Sequence, residues 1–200
     1  MSILETNGVS KAFGGIQALR TCSINVEQGE IMGLIGPNGS GKTTLFNVIT
    51  GYVPPDQGEV LFSGTSITNA KPDKVFGLGI GRTFQLTRIF SRLTVLENMH
   101  VAAQRTGSKE LLSRWSSSHE QRQAVKLLDF VGITRLKDAL AGSLSYGQKK
   151  LLEFAFILIA EPKVILLNEP AGFNHCSRIH RRTASEAQSS YKMGVCSILL

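Results

Sequence analysis

The residues best suited to chemistry form a glycine-rich stretch that ends in a lysine and two threonines. Residues 36–44 read G-P-N-G-S-G-K-T-T, which matches the pattern of phosphate-binding loops. Glycines let backbone N–H groups wrap phosphates without interference from Cβ atoms, and a helix that follows adds its positive end. Lys42 is predicted to reach the β- and γ-phosphates, and the Thr43 hydroxyl to bind Mg²⁺. The predicted nucleotide-binding residues of this loop are Gly36, Pro37, Asn38, Gly39, Ser40, Gly41, Lys42, Thr43 and Thr44.

A second candidate site follows an apolar run far along the chain. Residues 164–167 are Val-Ile-Leu-Leu, and Asn168 and Glu169 come next. A carboxylate directly after such a strand normally supports Mg²⁺, and a following glutamate polarises the attacking water. Glu169 fits the second role. Asn168 is a neutral amide, so we expect weakened metal affinity at that position.

Residues 144–148, Leu-Ser-Tyr-Gly-Gln, open a helix predicted over 149–160, which is strongly apolar over 151–160. By itself this sequence is typical of a helix cap at Ser145. The phosphate loop is shared by GTPases, kinases and motor ATPases. The loop therefore predicts nucleotide binding but does not identify the nucleotide or the class of protein, which must be inferred from the motifs that follow it.

These residues need strands and helices to position them. Short strands are predicted at residues 3–6, 18–26, 31–35, 59–62 and 164–167, and a last strand at 195–200. A helix is predicted from residue 45 to near Gly51, and helical spacing of apolar residues runs through 92–141. We expect an α/β fold in which the strand at 164–167 shares a sheet with the strand at 31–35.

Composition bounds the class of protein. The 200 residues are 42% hydrophobic and 18% charged, which excludes a disordered or collagen-like chain. Lys and Arg exceed Asp and Glu by 22 to 15, a net charge of +7, which fits an anionic partner: nucleotide, nucleic acid or an acidic membrane surface. Three cysteines are too few for a disulfide framework. No signal peptide or membrane-spanning run is evident, so we expect any membrane role to come through a partner.

Taken in order, the motifs resemble those of the ATP-binding subunits of ABC transporters over residues 3–174. Residues 36–44 resemble the Walker A loop, 144–148 the LSGGQ signature, 164–169 Walker B and 171–174 the D-loop. Gln85 resembles the Q-loop glutamine, and Phe13 the aromatic residue that stacks on adenine. Residues 81–90 and 93–98 are similar to an ATPase of branched-chain amino acid importers, although importers of urea or other polar amides share much of them.

The resemblance implies a P-loop ATPase core with an N-terminal antiparallel β portion and a helical insertion. Residues 1–85 and 151–200 would form the nucleotide-binding core, and 86–150 the helical subdomain. It implies ATP and Mg²⁺ as cofactors, with Glu169 and Gln85 as catalytic residues and Thr43, Gln85 and Asn168 at the metal. A second ATPase subunit would meet the nucleotide through Ser145, Gly147 and Gln148. Transmembrane permease subunits would be the other partners, and nucleic acid would not; the chain would lie in the cytoplasm, on the inner face of the membrane.

Three departures from that family keep a second hypothesis open. Besides Asn168, the resemblance breaks after Asn174 and recovers only at Met193, and no histidine follows the strand at 195–200, where the family has its switch histidine. We therefore expect an incomplete, truncated C-terminal part, with residues 175–192 its least regular segment. One hypothesis is an ATP-hydrolysing importer subunit; the other is an ATP-binding remnant or regulator deficient in hydrolysis. A soluble ABC protein acting on DNA or ribosomes is a weaker third.

Overall fold

The computed structural model of the chain describes residues 2–34, 36–83, 89–103, 118–167 and 194–196, without the side chains of residues 118, 119 and 194–196. The described residues fall into two compact units. The first comprises residues 2–34 and 36–82 with 162–167 and 194–196. The second comprises residue 83, residues 89–103 and residues 118–161.

The first unit begins with a long antiparallel hairpin of β1 (Ser2–Phe13) and β2 (Ile16–Glu27). The two residues of the turn, Gly14 and Gly15, both have positive φ, as a tight two-residue hairpin loop requires. β3 (Gln57–Phe62) pairs with the other edge of β1, and β4 (Thr65–Ser66) extends the sheet, so the order is β2-β1-β3-β4. The predicted antiparallel β portion is therefore confirmed.

Two helices and a parallel sheet complete this unit. α1 (Lys42–Ile49) buries its apolar residues Leu45, Phe46, Val48 and Ile49 in the core, and α2 (Pro72–Leu78) leads into β5 (Ile80–Arg82). β5 pairs in parallel with β6 (Val164–Leu166), and β6 with β7 (Gly194–Cys196). Val164 and Leu166 reach the same hydrophobic core as Leu4 of β1.

The strand predicted at residues 31–35 is not formed over residues 31–34, so that part of the fold prediction is wrong. A strand exists only where a neighbouring strand satisfies its N–H and C=O groups. The described parallel sheet contains β5, β6 and β7, and none of its pairings involves residues 31–34. Met32 and Leu34 still pack against the core, whereas Ile31 is exposed, which explains why the apolar run resembled a strand.

The second unit is helical. It contains α3 (Val95–Ala103), α4 (Ser118–Phe130) and α5 (Tyr146–Leu158), with 3₁₀ turns at Thr134–Leu136 and Ala141–Ser143. Met99, Leu128 and Leu152, one from each α-helix, are fully buried. Helix was predicted across 92–141, and the described part of that range is helical with short connections.

Residues 93–98, which are similar in sequence to an ATPase of branched-chain amino acid importers, stabilise the start of α3 in this unit. Thr94 and Glu97 cap α3 reciprocally: the Thr94 N–H donates to Glu97 Oε2 at 2.7 Å, and the Glu97 N–H to Thr94 Oγ1 at 3.1 Å. The hydrogen bond from the Thr94 N–H lowers the pKa of the Glu97 carboxyl, and the Thr94 hydroxyl lowers it further by a smaller amount. The buried Asn98 side chain accepts from the Phe90 N–H at 2.8 Å and donates to the Phe90 and Thr94 carbonyls at 3.0 and 2.8 Å.

Candidate functional site

The phosphate loop leads directly into α1, as predicted. Gly41 precedes the helix with φ 88°, and the Leu45 N–H donates to its carbonyl at 2.9 Å. No acidic residue lies in the first turn of α1, so nothing in that turn opposes the positive end of the helix. Pro37, Asn38, Gly39, Ser40 and Thr43 are exposed. The loop thus presents N–H groups, hydroxyls and a lysine at one helix start.

The Lys42 ammonium is held by the loop itself. Lys42 Nζ donates to the carbonyls of Gly36 and Pro37, both at 2.6 Å, and lies 3.2 Å from Ser40 Oγ. Carbonyl oxygens can hold an ammonium without neutralising it, so the positive charge of Lys42 stays available to an anion. A phosphate oxygen is a stronger, charged acceptor and can replace them.

β2 packs against the start of α1 at Gly41. A Cβ built on Gly41 would lie 2.3 Å from the Ala18 carbonyl oxygen and 3.0 Å from Leu19 Cδ2. Gly39 has a similar φ, 84°, but a Cβ there would meet no atom of the described residues within 4 Å. Of these two loop glycines, Gly41 is therefore the one that combines a positive φ with the close approach of a neighbouring strand.

Gly41→Ala is accordingly expected to destabilise the protein more than Gly39→Ala. Both substitutions place a side chain at positive φ, which costs about 1–2 kcal/mol. Gly41→Ala adds a clash with the β2 backbone, for about 1–3 kcal/mol more. Denaturant unfolding of the two variants beside the unsubstituted chain measures the difference. Equal losses in the free energy of unfolding of the two variants would show that β2 makes no close contact with the loop at Gly41.

Residues 145–148 begin α5, and they form a complete capping box. The Ser145 N–H donates to Gln148 Oε1 at 2.9 Å, and Ser145 Oγ accepts from the Gln148 N–H at 3.4 Å. This agrees with the cap predicted at Ser145. Tyr146 and Gly147 are exposed, and a Cβ on Gly147 would meet no atom within 4 Å in the part of the chain that the structure describes. Folding of the described residues gives no reason for glycine at this position.

Three predicted site residues, Gln85, Asn168 and Glu169, lie outside the described residues, and so do the segments 171–174 and 175–192. Their placement stays a prediction. Of the remaining candidates, the residues of the phosphate loop lie together at the start of α1. Ser145, Gly147 and Gln148 lie together at the start of α5. Phe13 lies at the tip of the hairpin, where the residue is 47% exposed.

Sequence reasoning missed the interactions of Arg82, the last residue of β5. Its guanidinium donates to Asn47 Oδ1 at 2.7 Å and Thr50 Oγ1 at 3.1 Å. It also lies over the rings of Phe46 and Tyr52, at 5.6 and 6.0 Å from their centroids. Arg82 therefore fastens β5 to α1, three residues before Gln85. The sequence offered only a lone arginine in the motif that contains Gln85.

The family model of the ABC transporter family matches residues 19–172, and the chain belongs to this family. The chain is 41% identical over 180 residues to the probable branched-chain amino acid transport ATP-binding protein LivG of Archaeoglobus fulgidus, covering 87% of this chain and 70% of that protein. It is 35% identical over 177 residues to the high-affinity branched-chain amino acid transport ATP-binding protein BraF of Pseudomonas aeruginosa, covering 84% and 69%.

Solved structures agree on the fold. The ADP conformation of MJ1267, an ATP-binding cassette of an ABC transporter, superposes with a TM-score of 0.82 at 35% identity, covering 100% of this chain and 81% of that one. A nucleotide-free ATP-binding cassette gives 0.78 at 34% identity, covering 100% and 82%. The α/β P-loop ATPase fold is therefore confirmed, and the chain is an ABC-type ATPase. Among the described residues, no helix is long and apolar enough to cross a membrane.

Proposed function

We propose that this chain binds and hydrolyses ATP as the energising subunit of an importer for branched-chain amino acids. The observation that carries the proposal is the loop at residues 36–44, where Lys42 is held at the start of α1 by exchangeable carbonyl contacts. Relatives named as branched-chain amino acid transport ATP-binding proteins support the solute class. They favour this function over an ATP-binding remnant deficient in hydrolysis.

In this proposal the nucleotide's triphosphate lies on residues 36–44. Lys42 binds the β- and γ-phosphates, and the adenine stacks on Phe13. Glu169 polarises the attacking water, and Gln85 links the γ-phosphate to the helical subdomain of residues 86–150. The core of residues 1–85 and 151–200 holds these groups.

Mg²⁺ is the metal that the proposal requires. Thr43 is exposed in the first turn of α1, beside Lys42, and its hydroxyl is a hard oxygen donor of the kind Mg²⁺ accepts. Gln85 and Asn168 would add only neutral oxygens, so the phosphates themselves supply the negative charge. Bound there, Mg²⁺ neutralises charge on the β- and γ-phosphates.

A second ATPase subunit completes the site. The start of α5, with its exposed Tyr146 and Gly147, would face the γ-phosphate held by the partner, so that ATP joins the two subunits. Permease subunits would hold the pair at the cytoplasmic face of the membrane. No role in binding nucleic acid is proposed.

Reconstitution tests the solute. The chain, its permease subunits and their solute-binding protein are placed in proteoliposomes, and ATP hydrolysis is measured with leucine, isoleucine, valine or urea. We expect the three branched-chain amino acids to stimulate hydrolysis and urea not to. Stimulation by urea and not by leucine would contradict the solute assignment while leaving the ATPase assignment intact.

Asn168→Asp is expected to strengthen Mg²⁺ binding in the presence of ATP and to raise the rate of hydrolysis, because it restores an anionic metal ligand. The Mg²⁺ concentration that half-saturates nucleotide binding should fall. That titration does not depend on turnover. An unchanged midpoint would show that Asn168 does not contact the metal.

A further inference from the structure

The hairpin tip carries an exposed apolar pair. Phe13 and Ile16 are directly opposite each other in the register of β1 and β2, which places their side chains on one face of the ribbon. Phe13 is 47% exposed and Ile16 74%. Since Ala18, two residues from Ile16, lies against Gly41, the pair stands about 7 Å along the strand from the start of α1. A flat apolar group attached to a phosphate chain suits this position.

Asp56 forms hydrogen bonds that connect β1, the strand that carries Phe13, to the loop before β3. Its carboxylate accepts from Lys11 Nζ at 2.6 Å and from the Ala12 N–H at 2.8 Å. Its own N–H donates to the Ser10 carbonyl at 2.9 Å. Three successive residues before Phe13 are thus bound to one aspartate. The Lys11 contact and then the Ala12 N–H lower the pKa of the Asp56 carboxyl, so it is ionised at neutral pH.

Lys11 links the Asp56 carboxylate to the aromatic ring of Phe13. Its ammonium lies over Phe13 at 5.6 Å from the ring centroid, so the cation contacts one face of a residue that is 47% exposed. The Asp56 carboxylate fixes the ammonium, and the ammonium favours one orientation of the ring. A ring already oriented loses less side-chain freedom when a base stacks on it.

We propose that Asp56 is a positioning residue for the nucleotide base, acting through Lys11 and the Ala12 backbone to hold Phe13 ready for stacking. This rests on the proposed ATP site, in which Phe13 contacts the adenine. Asp56 touches no part of the nucleotide in this arrangement. Its effect on affinity therefore depends on both the base and the Phe13 ring.

A double-mutant cycle between Phe13 and Asp56 tests the proposal. Affinities for ATP and for inorganic tripolyphosphate are measured for the unsubstituted chain, Phe13→Ala, Asp56→Asn and the double variant. Loss of base stacking in Phe13→Ala should weaken ATP binding about 5- to 100-fold. Asp56→Asn should weaken it about 3- to 10-fold, and by less than about 2-fold when Phe13 is already alanine. Tripolyphosphate affinity should not change in any variant.

Controls separate this proposal from folding effects and from the ATP site itself. Asp73→Asn removes the same charge from the exposed first turn of α2 and should leave ATP affinity unchanged. Thermal unfolding of each variant shows whether it folds. No loss of ATP affinity in Asp56→Asn, an equal loss in the Phe13→Ala background, or an equal loss for tripolyphosphate would each overturn the positioning role. If Lys42→Ala binds ATP as the unsubstituted chain does, the ATP site is wrong irrespective of Asp56.

Discussion

Replacing Lys42 by alanine is expected to weaken ATP binding by about 10²- to 10⁴-fold. The ammonium would make charge-assisted hydrogen bonds to the β- and γ-phosphates, each contributing about 1.5–3 kcal/mol, and 1.4 kcal/mol is a factor of ten. Its present contacts with Gly36 and Pro37 are to exposed or half-buried loop carbonyls that water can satisfy. Folding should therefore change little. Titration calorimetry with ATP measures the affinity, and thermal unfolding checks the fold.

Lys74→Ala is the matched control for this variant. Lys74 is exposed on α2 of the same unit, so its substitution removes the same charge without touching the loop. We expect ATP affinity within about 2-fold of the unsubstituted chain, since exposed charges are screened over about 10 Å at ordinary salt. Equal weakening in Lys42→Ala and Lys74→Ala would mean that general charge, and not the loop, attracts the nucleotide.

Gly147→Ala is expected to raise the stability of the protein and to lower its rate of ATP hydrolysis. Gly147 is helical and exposed, and none of the described residues has an atom within 4 Å of a Cβ at this position. Alanine there should therefore stabilise α5 by up to about 1 kcal/mol. In the proposed two-subunit site, however, the added methyl group stands between α5 and the partner's γ-phosphate. A displacement of about 1 Å at a reacting group can lower a rate about 10²-fold. We expect that loss in ATP hydrolysis, with ATP affinity of the single subunit unchanged.

Gly77→Ala controls for the substitution itself. Gly77 is also helical and exposed, and a Cβ there would meet no atom within 4 Å among the residues described. It should stabilise its helix without lowering hydrolysis. Full activity of Gly147→Ala, or an equal loss in Gly77→Ala, would contradict the role of α5 at the partner's nucleotide.

The sequence predicts local features of this molecule well because their determinants are close together along the chain. The loop at residues 36–44 and the capping box at Ser145 and Gln148 are each complete within nine residues. The antiparallel sheet could also be predicted, from short β-type runs with glycine turns between them.

Features that depend on residues far apart could not be predicted. Asp56 meets Lys11 across 45 positions, and Arg82 meets Asn47 across 35, and no periodicity links such pairs. The strand predicted at 31–35 fails for the same reason: apolar composition favours a strand, but a ladder needs a partner that only the folded chain supplies.

Release of inorganic phosphate from Mg²⁺·ATP, by the purified chain assembled with its permease subunits, tests the ATPase function most directly. We expect saturable release by the unsubstituted chain and none above background by Lys42→Ala. Removing a general base typically costs about 10²- to 10⁴-fold, so Glu169→Gln should lower the rate by that factor while ATP still binds. A rate that survives both Lys42→Ala and Glu169→Gln would contradict the assignment of this chain's ATPase site.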